Sequence, residues 1–168
     1  MYKRQIHKCF PNPTVLLLEG SIDSCISVAL TRKSLAEQGM TVIDRIESTG
    51  AIDIHDERLA QFIDALAFEA LPQSDLLAYL TGITTAIRLS RAVPTLGFYP
   101  ICPEAQLDRL ESLIGQLDQL NVRVREIGSQ RRNKDISLNE SARLRMQAHQ
   151  AEREIKEIEN RIKEICHG

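Results

Sequence analysis

Leu144, Ala148, Ala151, Ile155, Ile158, Ile162 and Ile165 recur at alternating spacings of four and three residues, the heptad seam of a helix that must bury one narrow stripe. Nine charged residues between Glu152 and Glu164 fill the other positions, so the rest of that surface stays in water. Ser137 with Glu140 forms a capping box that opens the helix, which is predicted over residues 137–166. Such a stripe needs a cover. It packs on its own domain, or, with isoleucine at both seam positions, it enters a helical assembly. A protein partner or a second copy of the chain is therefore expected to dock on these seven residues.

The 168 residues ahead of and including this helix suit one ordinary core. An α/β domain is predicted over residues 6–130. The formal charge of -2 gives no overall pull toward polyanions, and only three tyrosines, four phenylalanines and no tryptophan offer stacking platforms. Arg131, Arg132 and Lys134 form a short basic patch in a loop; nucleic-acid binding is not expected. No apolar run reaches the ~20 residues of a membrane helix, and no signal peptide opens the chain. A cytoplasmic protein with no membrane contact is expected.

The four cysteines, Cys9, Cys25, Cys102 and Cys166, have no CxxC spacing, and the four histidines share no helical face. No metal or cofactor is expected. The opening pentapeptide MYKRQ is what the end of a common transposon sequencing adapter encodes when read from a GTG start. Residues 1–5 are accordingly expected to be an assembly scar, with the natural chain extending further.

Four strands are predicted. Val15 to Leu18 are continuously apolar, as a strand covered on both faces must be, and residues 95–101 are similar. Residues 40–47 mix apolar with charged side chains, and residues 121–127 alternate Val122 and Val124 with Arg123 and Arg125, so both read as half-exposed strands. Helices are predicted between them: one from Ser21 ending at Gly39, one around residues 53–70, one over 74–91 and one over 102–120. Crossover helices joining two buried and two half-exposed strands imply an open, mainly parallel four-stranded sheet in the order 2-1-3-4. The alternative is a ferredoxin-like α+β sheet with a helical insertion.

In an open parallel sheet, ligands bind beyond the C-terminal ends of the central strands. That rule selects Glu19, Gly20, Ser21 and Asp23 after the first strand, Ser48 and Thr49 after the second, and Cys102 after the third. Glu19 in a buried setting could act as a base, and a thiol at a helix N-terminus gains thiolate character. Gly20, Ser21, Asp23, Ser48 and Thr49 would hold a ligand. The segment LEGSIDSCIS has the strand, glycine and helix order of a phosphate-binding loop but lacks its Gly-Lys-Ser/Thr ending, so the cation for the outer phosphates is missing.

With no complete catalytic constellation, the leading expectation is a non-catalytic interaction or regulatory domain acting through its C-terminal helix. The alternatives are a small-molecule-binding protein or thiol-dependent enzyme using Glu19 and Cys102, and a degenerate or truncated nucleotide-binding domain.

Overall fold

The computed structural model describes residues 2–37, 40–132 and 137–167. The chain divides into two compact units, Met1–Val93 and Pro94–Gly168. The first holds a sheet and short helices; the second is a helical hairpin. The division expected at residues 130–137 falls instead within the hairpin.

The sheet has three strands, β1 (Thr14–Glu19), β2 (Ser24–Lys33) and β3 (Thr41–Ser48), in the order β1-β2-β3, and every pairing is antiparallel. The four-stranded parallel sheet is therefore corrected, and so is the ferredoxin-like alternative. The decisive difference lies at residues 20–23. Gly20 N–H donates to Asp23 C=O at 2.7 Å and Glu19 pairs with Ser24, so the chain doubles back there instead of entering a helix. A Cβ at Gly20 would lie 2.9 Å from the Asp23 backbone carbonyl, which explains the glycine. Ile22, Cys25, Ile26, Ala29 and Leu30 fit a helical spacing, yet Ser24–Lys33 is a strand. Its neighbours supply ladders on both edges, and that tertiary context outweighs a short periodicity. Gly39, the expected helix end, lies outside the described residues.

This topology makes β2 central and leaves β1 at an edge. Burial along β1 alternates, with Leu17 61% exposed, whereas Val28 on β2 is fully buried. A continuous apolar run thus reflects an edge strand with one open apolar face. β3 shows the half-exposed pattern expected of residues 40–47.

Helix α1 (Tyr2–Lys8) packs against β3. After β3 the expected helix over 53–70 is broken into the short helix α2 (Ala60–Ala65) flanked by 3-10 turns at Glu57–Leu59 and Phe68–Ala70. Helix α3 (Leu76–Ser90) is capped by Asp75, whose carboxylate accepts from Ala78 N–H at 2.8 Å. It packs on β2 and β3 and buries Leu80, Ile83 and Ile87. Phe62 of α2 is also fully buried, giving this unit its core.

Residues 95–101 form no strand. Helix α4 (Val93–Leu96) is followed by Gly97 at a φ of 80°, a conformation that favours glycine, and the prolines at 100 and 103 remove ladder donors. Nor do residues 121–127. They continue helix α5 (Leu107–Arg131), because Leu110, Leu113, Ile114, Leu117 and Ile127 make one buried stripe at helical spacing. Two valines in alternation could not override that stripe. Helix α6 (Leu138–His167) follows, with Ser137 Oγ accepting from Glu140 N–H at 3.2 Å as the capping box requires.

α5 and α6 pack along one another. The ring of Phe98, ahead of α5, lies 5.8 Å from the ring of His167 at the end of α6, which makes the pair antiparallel. At 1.5 Å per residue the helices run roughly 37 and 45 Å.

Candidate functional site

Two regions concentrate chemistry. In the first unit, Cys25, Ser27 and Ser48 lie on one face of the sheet, since Cys25 and Ser27 are two apart on β2 and Ser27 pairs with Ser48. α1 brings Lys3 and His7, one turn apart, onto that face. Lys3 Nζ donates to Ser48 Oγ at 2.7 Å and lies 3.2 Å from Cys25 Sγ, which is itself 3.2 Å from Ser48 Oγ. His7 Nε2 and Ser27 Oγ are 2.9 Å apart and both residues are buried. His7 Nδ1 has no hydrogen-bond partner among the described residues.

This layer shifts two titrations. Burial lowers the His7 pKa by disfavouring the charged imidazolium. For Cys25, burial works upward, but hydrogen bonds from Ser48 and Lys3, the Lys3 charge and Thr49 outweigh it, and the thiol sits below its ordinary value. On the opposite face Arg91, just after α3, pairs with the mostly buried carboxylate of Glu47.

The predicted ligand residues are partly gathered here. Ser48 and Thr49 join Cys25 and Ile26: Thr49 N–H donates to Ile26 C=O at 3.0 Å, and Ile26 N–H donates to Thr49 Oγ1 at 3.1 Å. Gly20, Ser21 and Asp23 form the β1–β2 turn, and Asp23 is spent closing it. Their backbone does not present the first turn of a helix, so the strand-glycine-helix order read in LEGSIDSCIS is absent as well. Glu19 ends an edge strand and is exposed. Cys102 belongs to the second unit, in the coil before α5, and burial raises its thiol pKa. The strand-end geometry that joined Glu19 to Cys102 is absent from an antiparallel sheet. Cys25, the thiol with the lowered pKa, carries no motif; only its place on β2, diagonally across from Ser48, reveals it.

The second region is the hairpin. Of the seven seam residues, Leu144, Ala151, Ile158, Ile162 and Ile165 are buried, while Ala148 and Ile155 are half-buried. The stripes of α5 and α6 cover each other within one chain. What remains outside is mostly polar, apart from Val122, Leu138 and Met146, and its charges are sorted by sign. From Asn121 to Arg153 the described residues hold seven arginines against three glutamates, all seven arginines exposed. Residues 104–120 together with 154–167 hold eight carboxylates against four lysines and arginines. The half nearest the connecting loop is thus basic and the other half acidic. Lys134 of the expected loop patch lies outside the described residues. A running charge count along each helix would have found this division, which the overall charge of -2 conceals.

An open groove of about 380 Å³ runs between the helices, lined by Gln116, Gln119, Leu120 and Arg123 of α5 and Glu154, Glu157, Ile158 and Arg161 of α6. Among the described residues no cluster of histidine, cysteine, aspartate and glutamate could hold a metal ion, and no helix is long and apolar enough to cross a membrane.

A family described as a domain of unknown function, DUF4391, matches residues 4–155, and the chain belongs to that family. The match crosses from the sheet unit into the hairpin. No curated protein and no solved structure shows significant similarity to the chain.

Proposed function

We propose that this chain is a non-catalytic interaction module whose helical hairpin supplies the contact surface. The isoleucine seam is consumed in holding α5 to α6, so contact falls to the wet outer faces and not to the stripe itself. The observation that carries this reading is the sorting of charge along the hairpin. Among the described residues only Arg143 of the seven arginines has an ion-pair partner, Glu140 at 2.8 Å. Unpaired like charges gathered on one structure work against stability, and sites that keep such a cost are commonly sites of function.

Melting curves test the idea. Arg145→Gln combined with Arg153→Gln should leave the Tm unchanged or raise it by about 1–3 °C, since surface charges contribute at most about 1 kcal/mol each. A fall of more than about 5 °C would make these arginines structural and remove the basis for the reading. Removal of residues 137–168 is not an equivalent test, because it would strip the cover from the apolar stripe of α5.

A further inference from the structure

We infer that the basic half of the hairpin, Asn121 to Arg153, binds the phosphate backbone of duplex nucleic acid. The inference rests on the interaction reading above and names the partner class for the same surface. Four features favour this occupant.

All seven cations described there are arginines, whose planar guanidinium forks grip phosphate oxygens two at a time. They are distributed over both helices: Arg123, Arg125, Arg131 and Arg132 near the end of α5, and Arg143, Arg145 and Arg153 along the first half of α6. In an antiparallel pair these stretches lie side by side, and each spans roughly 15 Å, several phosphate spacings along a duplex.

The acidic half does not cancel the patch. The centres of the two halves are separated by roughly 20 Å along the helices, about twice the Debye length at physiological salt. The two ends therefore act as separate fields, and a polyanion meets the basic end while being repelled by the other. Net charge is a poor guide for such a surface.

The residues available also select duplex over single strand. From Glu104 to Gly168 the sequence has no phenylalanine, tyrosine or tryptophan, and His149 is the one aromatic ring among the described residues of the basic half, so unstacked bases find almost no stacking platform there. Backbone contact without base readout is what this composition supports.

The test uses the full chain and a labelled random-sequence DNA duplex of about 20 base pairs, with binding followed by anisotropy from about 50 to 200 mM salt. With four or five phosphates engaged, the logarithm of the association constant should fall against the logarithm of salt with a slope of about −4. Arg125→Glu, Arg132→Glu and Arg145→Glu together should weaken binding at least about 30-fold. The triple change Arg109→Glu, Lys156→Glu and Lys163→Glu alters the same number of charges in the acidic half and should change it less than about 3-fold. Glutamine versions of both triples guard against misfolding, checked by circular dichroism, and should keep the same order.

No binding at the lowest salt, equal loss from both triples, or a slope near zero would overturn the inference. So would tighter binding to phosphatidylserine vesicles than to the duplex, since Val122, Leu138 and Met146 are exposed in the same half. The melting experiment separates the two levels: a duplex that fails to bind with an unchanged Tm removes only the nucleic-acid partner, whereas a large Tm loss removes the interaction surface itself.

Discussion

The sheet unit and the hairpin treat polar residues in opposite ways. Beneath α1 the first unit turns His7, Cys25, Ser27 and Ser48 inward, where they bond one another. Among the described residues, helices α5 and α6 bury only apolar side chains and display their arginines and most of their carboxylates. Chemistry-bearing side chains are therefore not equally available for outside contact. In the first unit they are spent on the fold, while the seven arginines of the hairpin's basic half are exposed, which is why the contact surface is sought on the hairpin.

The largest effect that would sharpen this contrast is in the hairpin seam. Ile162→Ala removes a fully buried side chain and should cost about 2–5 kcal/mol in denaturant unfolding. Ile155→Ala, at a half-buried seam position, should cost less than half as much. Equal costs would mean that the stripe is not packed as described. A somewhat smaller loss is expected in the sheet unit. Arg91→Ala leaves the mostly buried Glu47 carboxylate without its guanidinium and should cost about 1.5–3 kcal/mol.

Acid should distinguish the units next. The His7 pKa is lowered in the folded chain, so between that value and the ordinary ~6.5 the unfolded chain binds more protons. Stability from this group is complete above about pH 6.5 and declines as pH falls through the lowered value. His7→Gln should flatten that part of a Tm-against-pH curve; an unchanged slope would place the sensitivity elsewhere.

The thiols offer a finer comparison. Cys25 should form its thiolate at lower pH than Cys102, read from the pH dependence of alkylation mapped by mass spectrometry, and Ser48→Ala should narrow the gap. A lower alkylation midpoint for Cys102 would reverse the contrast. Smallest of all, the exposed Arg32–Asp44 pair at 3.0 Å should contribute no more than about 0.5 kcal/mol in a double-mutant cycle.

Long helices were the most legible part of the chain. The seam from Leu144 to Ile165 marks α6 because seven positions agree on one period, and Ser137 caps that helix through a side chain visible in the sequence. Short segments were not. Ser24–Lys33 and Asn121–Ile127 each carry too few apolar residues to separate a period of two from one of 3.6, and the partner supplied by the fold decides between them. That one reversal after Gly20 also dismantled the predicted site. Ser48 and Thr49, expected to hold a ligand, lie beside Cys25. Finding it required the β2–β3 register, which no local pattern encodes.

The meander and the hairpin share one property with consequences for how the chain comes to be folded. Each strand pairs with the next strand in sequence, and α5 pairs with the helix that follows it. Loop closure between such neighbours carries little entropy, and topologies built on local pairing fold faster than those requiring distant segments to meet. The hairpin can close as soon as the second of its helices has been synthesised. Refolding is accordingly expected on the fast side for a chain of this size, without the delay that a crossover-connected parallel sheet would impose.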